Sequence, residues 1–211
     1  MTFTADATES EVRKNESSNK LTLIRIFLIP VFTILLALDW PAGYLTLAGT
    51  KVALSWFIAL IIFIVASLTD FADGQIARRK HLVTNFGKFA DPLADKLLVM
   101  TAFIFLTANG QIPAWGTAII LWRELAVTGL RLLLSNEGEV LAAAWPGKIK
   151  TNAQMFAIIF LMLNNAWFNN INVPFALILF YIAVFFTIYS GVEYFYKNRG
   201  VFKDSFGSSH Q

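Results

Sequence analysis

The chain has no cysteine. That excludes disulfides, zinc–thiolate sites and a cysteine nucleophile. It has two histidines, His81 and His210, so a histidine metal site or a Ser-His-Asp triad would have to use one of them. Charge is also sparse: 15% of the 211 residues are Asp, Glu, Lys or Arg, against 56% hydrophobic. An ordinary soluble domain is less apolar than this. Residues 1–20 are polar and of mixed charge (Asp6, Glu9, Glu11, Arg13, Lys14, Glu16, Lys20), without the basic start and short apolar core of a signal peptide. No internal repeat and no second domain is evident.

What is abundant is apolar sequence, in blocks too long for surface helices. These blocks are Leu21 to Leu38, Val52 to Thr69, Leu97 to Ala108, Ile112 to Leu134, a fifth ending near Phe168, and Val173 to Phe195. They predict an all-α, polytopic membrane protein, a six-transmembrane-helix bundle. Asp39 to Gly43 reads as a turn, with Trp40 and Tyr44 suited to the interfacial aromatic belt. Pro92 suits the first turn of the third helix, where its missing N–H costs nothing. Asn109-Gly110-Gln111 reads as a tight turn, Ser135 to Pro146 as a connector, and Gly147-Lys148-Ile149-Lys150-Thr151 as the opening of the fifth helix. Asn164-Asn165 and Asn169-Asn170 mark the turn that follows. Of the 17 Lys and Arg, this layout puts all but Lys51 on one side. By the positive-inside rule both termini are then cytoplasmic. The expected organisation is a polar tail over 1–20, a six-helix domain over 21–196 and a polar tail over 197–211.

Against that background the stretch from Asp70 to Asp95 stands out. Asp70, Asp73, Asp91 and Asp95 fall within 26 residues. Spacings of three and four put each pair on one face of a helix. Each acid in or beside a membrane costs about 2.5–3.5 kcal/mol on insertion scales. Four carboxylates brought together repel unless cations lie between them. Hard oxygen donors in this number suit Mg²⁺, Mn²⁺ or Ca²⁺ rather than zinc or copper. Gly74 and Gly87 would let a ligand approach the backbone, and Arg78 could reach a phosphate oxygen. The residues alone therefore point to a metal-dependent enzyme acting on a phosphate or diphosphate at the inner membrane surface.

The pattern Asp70-x-x-Asp73-Gly74-x-x-Ala77-Arg78, eight residues, Gly87-x-x-x-Asp91-x-x-x-Asp95 resembles the signature of the CDP-alcohol phosphatidyltransferase family at every defining position. Asn19-x-x-Thr22-x-x-Arg25, the run Asn85 to Lys96, Arg123-Glu124 and Gly147 to Thr151 resemble the bacterial branch that makes phosphatidylglycerophosphate. The resemblance covers most of residues 19–195. It implies that a hydroxyl of sn-glycerol 3-phosphate attacks the β-phosphorus of CDP-diacylglycerol and that CMP leaves. It further implies two Mg²⁺ or Mn²⁺ ions held by Asp70, Asp73, Asp91 and Asp95, with Asp95 also the general base. Asn19, Thr22, Asp73, Gly74, Ala77, Arg78 and Gly87 would bind CDP-diacylglycerol; Arg123, Lys148 and Lys150 would bind the acceptor phosphate. A homodimer in the bacterial inner (cytoplasmic) membrane, with its active site on the cytoplasmic side, is the implied setting. Nucleic acid is not an expected partner.

Other readings compete with these. The same chemistry could serve another acceptor, such as phosphatidylglycerol or inositol phosphate. A divalent-cation transporter would also gather intramembrane carboxylates, but would not need Arg123, Lys148 and Lys150. The aspartates could pair with Arg78, Arg79, Lys88 and Lys96 in a solvated loop, and Arg78-Arg79-Lys80 could be a topology signal. Lys148 and Lys150 could be inside anchors. Arg123 and Glu124 could be a structural polar pair. As sequence neighbours they do not face each other on a helix, so each is expected to have another partner. Gly116 and Gly129 read as helix-packing positions.

Overall fold

A computed structural model of the chain describes residues 27–38, 43–78, 85–136, 145–197 and 199, with side chains described over 27–38, 43–69, 96–131, 145–197 and 199. The described chain is mainly helical. Its helices are α1 (Phe27–Ala37), α2 (Leu54–Arg78), α3 (Asn85–Ala108), α4 (Ala114–Asn136), α5 (Trp145–Met162) and α6 (Phe175–Lys197). Between α1 and α2 lies a feature that hydropathy does not reveal, an antiparallel hairpin of β1 (Tyr44–Leu47) and β2 (Thr50–Ala53). Leu47 pairs with Thr50 across the two-residue loop Ala48-Gly49. Both loop residues have positive φ, 47° and 81°, the geometry whose twist matches a hairpin. The described chain is thus mainly helical, as expected, but not all-α in this segment.

Several boundaries also differ from those expected. α2 begins at Leu54 and runs unbroken through Asp70 and Asp73 to Arg78. α3 begins at Asn85, so Pro92 is its eighth residue and not in its first turn. Proline lacks the N–H that would bond the Lys88 carbonyl, so the hydrogen-bond ladder skips one rung beside Asp91. α5 starts at Trp145, with Pro146 in its first turn, and ends at Met162 rather than near Phe168. Asn164, Asn165 and Trp167 all have positive φ (51°, 55° and 68°). Asparagine tolerates this left-handed region, which a right-handed helix cannot use. Asn109-Gly110-Gln111 is the turn its sequence indicates: Gly110 has φ +70°, and the Gln111 N–H donates to the Leu106 carbonyl at 3.0 Å.

The chain divides into two compact units, Met1–Phe105 with Met162–Ala166, and Leu106–Leu161 with Trp167–Gln211. In the first, α2 packs on the hairpin, and the rings of Phe32 and Phe63 lie 6.1 Å apart in the interior. The Asn164 side-chain amide donates to the Lys51 carbonyl at 2.9 Å, tying the turn after α5 to β2. Thr33 and Thr69 return their hydroxyls to carbonyls four residues back (2.8 and 2.7 Å). That bond lets a polar side chain sit on an apolar helix.

In the second unit, α4 and α6 pack along each other. Trp115 stacks on Tyr181 at 6.2 Å, and Phe180 fills the space left by Gly116. The buried stripe of α6 is Ala176, Phe180, Ala183, Val184, Thr187, Ser190 and Gly191. Its other face exposes Ile178, Tyr181, Ile182, Phe185, Ile188 and Val192. An apolar face of that size is a liability in water and suits lipid. Among the described residues, α6 is the helix long and apolar enough to cross a membrane; shorter apolar helical stretches run Phe27–Ala37, Leu54–Thr69 and Lys96–Ala108.

Candidate active site

The candidate acidic residues lie on two helices of the first unit. The last third of α2 carries Asp70, Asp73, Gly74, Ala77 and Arg78. The first three turns of α3 carry Gly87, Asp91 and Asp95. With about 100° per residue, Asp70 and Asp73 are offset by about 60° around α2, and Asp91 and Asp95 by about 40° around α3. Helical backbone at all four positions therefore supports the expectation of two one-faced carboxylate pairs. It also removes the alternative that they lie in a loop: the connection between α2 and α3 is only residues 79–84. The side chains of these eight residues lie outside the described ones, as do Asn19 and Thr22 entirely. Among the described residues no three His, Cys, Asp or Glu cluster to hold a metal. The chemistry of the donor set, four carboxylates in two helical pairs, fits a hard divalent cation.

The candidate basic residues lie in the second unit, where side chains are described. Arg123 and Glu124 come from α4, Lys150 from α5, and Ser190 and Gly191 from α6. Glu124 and Lys150 form a buried ion pair, their side chains 8% and 6% exposed. The same Glu124 Oε1 lies 3.4 Å from Arg123 Nη1. Arg123 Nη2 donates to the Ser190 hydroxyl at 3.0 Å. Ser190 in turn donates to the Thr187 carbonyl at 3.3 Å. The Thr187 hydroxyl bonds the Ala183 carbonyl at 2.6 Å, and the Gln154 amide approaches it at 3.4 Å. A polar seam therefore runs through α4, α5 and α6.

Two cations and one anion leave the Arg123–Glu124–Lys150 cluster with a net charge of +1. Such a group attracts an anion, and the planar Arg123 guanidinium can bind a phosphate through two parallel hydrogen bonds. The expected acceptor-binding trio is divided, however. Arg123 and Lys150 meet around Glu124, whereas Lys148, two residues from Lys150 on α5, is exposed on the surface. A two-residue step turns a helix by about 200°, which separates them. Each of Arg123 and Glu124 has the partner expected elsewhere, Ser190 and Lys150, and the two also touch each other. Ser190 and Gly191 are not singled out by the sequence pattern. The available signal is a serine–glycine pair one turn beyond Thr187, in a span that is otherwise large and apolar.

Residues 16–189 match the CDP-alcohol phosphatidyltransferase family. The chain is 49% identical over 187 residues to the CDP-diacylglycerol–glycerol-3-phosphate 3-phosphatidyltransferase of Bacillus subtilis (strain 168), covering 89% of this chain and 97% of that protein. The protein of the same name from Haemophilus influenzae is 36% identical over 191 residues, 88% of this chain and 94% of the relative. A probable phosphatidylglycerophosphate synthase of Mycobacterium tuberculosis is 40% identical over 177 residues, 84% of this chain and 78% of the relative. With its two carboxylate-bearing helices, its basic seam and these relatives, the chain belongs to the CDP-alcohol phosphatidyltransferase family.

Proposed function

We propose that this protein transfers the phosphatidyl group of CDP-diacylglycerol to sn-glycerol 3-phosphate, giving phosphatidylglycerophosphate and CMP in phosphatidylglycerol synthesis. The observation that carries this reading is 49% identity, over nearly the full length of both chains, to a relative named for that reaction. The cluster of Arg123, Glu124 and Lys150, whose charges sum to +1, supports a phosphate-bearing acceptor over an uncharged one.

Asp70, Asp73, Asp91 and Asp95 would hold two Mg²⁺ or Mn²⁺ ions, which screen the diphosphate and stabilise the attacking and leaving oxygens when bound. Asp95 accepts the proton of the acceptor hydroxyl as its oxygen bonds the β-phosphorus. The bond from that phosphorus to the CMP oxygen breaks, and CMP leaves with the electron pair. Asn19, Thr22, Asp73, Gly74, Ala77, Arg78 and Gly87 hold the cytidine and diphosphate. Arg123 takes the acceptor phosphate, Lys150 adds positive potential behind it, and Lys148 draws the anion in from the surface. The acyl chains stay in the bilayer between six spans. Both termini and the site face the cytoplasm at the bacterial inner membrane, in a homodimer whose six-helix domain spans 21–196 between polar tails.

An acceptor screen with radiolabelled CDP-diacylglycerol and lipid product analysis tests the proposal. Purified protein with Mg²⁺ or Mn²⁺ is expected to release CMP only when sn-glycerol 3-phosphate is added. Equal release with inositol phosphate or phosphatidylglycerol would overturn the acceptor assignment.

A further inference from the structure

We propose that Ser190 and Gly191 of α6 are the positioning residues that aim Arg123 at the acceptor phosphate, and so set affinity for that substrate. The inference rests on the acceptor reading above for its substrate but on separate observations for its geometry. Arg123 has a long flexible side chain whose freedom must be removed before it can bind in a fixed direction. Two contacts from α6 remove it. The Ser190 hydroxyl accepts a hydrogen bond from Nη2 at 3.0 Å and fixes the outer end of the guanidinium. Gly191 fixes the stem: a Cβ there would lie 3.1 Å from Arg123 Cγ and 3.9 Å from Nε. The missing side chain is therefore the space the Arg123 stem occupies.

The Nε atom is buried and has no hydrogen-bond partner among the described residues. It lies toward Gly191, inside the helix pair, so the anion-binding end is the Nη pair. Nη1 rests 3.4 Å from Glu124 and Nη2 rests on Ser190. Each Nη carries two N–H groups, so one contact on each leaves a donor for an anion. Glycine within a helix is less stable than alanine because it loses more backbone freedom on folding. A glycine kept only for packing space would be improved by alanine wherever the neighbour can yield; here the neighbour is the proposed phosphate ligand. Alanine at 191 displaces Arg123 Cγ by a few tenths of an ångström, and the shift grows along the side chain to the guanidinium.

The test uses full-length protein in detergent, with Gly191→Ala, Ser190→Ala and Ser190→Thr, and measures KM for each substrate by CMP release. Ser190→Ala removes a hydrogen bond to a charged group and is expected to raise the KM for sn-glycerol 3-phosphate roughly tenfold. Gly191→Ala is expected to raise it by a similar factor while leaving the melting temperature unchanged or higher. Ser190→Thr keeps the hydroxyl and should recover most of the loss. The KM for CDP-diacylglycerol should move less than about twofold in all three. Equal rises for both substrates, or unchanged KM for the acceptor, would overturn the proposal. If the wild type is inert with sn-glycerol 3-phosphate, the acceptor reading fails, and inorganic phosphate becomes the probe. A phosphate-induced rise in melting temperature that is present in wild type and Ser190→Thr, and lost in Ser190→Ala, would then support the cradle; the same rise in all variants would refute it.

Discussion

Glu124→Gln is the sharpest perturbation of the basic seam. It keeps the size of the side chain and deletes its charge. Lys150 then loses the carboxylate it meets, and Arg123 loses the oxygen 3.4 Å from Nη1. The side chains involved are 6% exposed for Lys150, 8% for Glu124 and 14% for Arg123, so water screens the interaction little. Removing one partner of a buried ion pair costs about 3–5 kcal/mol. For a chain of this length each kcal/mol lowers the melting temperature by roughly 2–4 °C. Glu124→Gln is therefore expected to melt roughly 6–20 °C below wild type in the same detergent. Glu124→Leu combined with Lys150→Met strands neither of that pair and should recover a large part of the loss. The double-mutant cycle gives the coupling directly. A fall below about 2 °C for Glu124→Gln, or a double variant as unstable as the two single losses added, would refute the buried pair.

Three other outcomes follow from the same arrangement. Asp91→Asn, which deletes one carboxylate from the α3 pair, is expected to lower CMP release at least about a hundredfold; substantial remaining turnover would remove Asp91 from the metal site. Arg123→Lys keeps the charge but loses the two-pronged donor. It should raise the acceptor KM more than the CDP-diacylglycerol KM, and the reverse split would assign Arg123 to CDP-diacylglycerol instead. Gly116→Ala puts a Cβ 2.6 Å from Phe180 Cζ, and Phe180 is fully buried. Overpacking of this kind costs typically about 1–3 kcal/mol, so the melting temperature should fall, and an unchanged value would mean that α4 and α6 separate without cost.

The helices are legible in the sequence because their apolar blocks are long, and the acidic motif because its spacing is fixed. The misreadings have local causes. The stretch Tyr44 to Ala53 is too short and too mixed to separate from a polar loop by hydropathy, and its turn uses Ala48 where asparagine would have announced a hairpin. Hydropathy places the end of α5 late because Ala166, Trp167 and Phe168 continue its apolar character; the backbone leaves the helix at the two asparagines before them. Pro92 looks like a helix start, yet α3 already runs for seven residues before it. The basic site is legible residue by residue but not as a contact set. Nothing in the spacing of Arg123, Lys150 and Ser190 says that three different helices bring them together.

The seam bears on function through its cost. A buried ion pair can often be replaced by apolar residues of similar volume with no loss of stability, or with a gain. Helix contacts in lipid are in any case made well by small residues, and α4 and α6 already have Gly116 against Phe180 and Trp115 against Tyr181. Packing alone therefore gives no reason for Arg123, Glu124 and Lys150 in this interior. An anionic substrate does. A cation that must meet a phosphate cannot be exchanged for leucine, and a carboxylate beside two cations keeps their charge tolerable while the site is vacant. On the proposed function Glu124 would be the compensating group, Arg123 the binding group and Lys150 the reserve of positive potential. Suppose the variant carrying both Glu124→Leu and Lys150→Met proved more stable than wild type while its acceptor KM rose at least about tenfold. Stability and binding would then be separated, as a substrate-driven seam requires. If instead that double variant kept full acceptor affinity, the seam would be a structural contact and the phosphate site would have to be sought elsewhere.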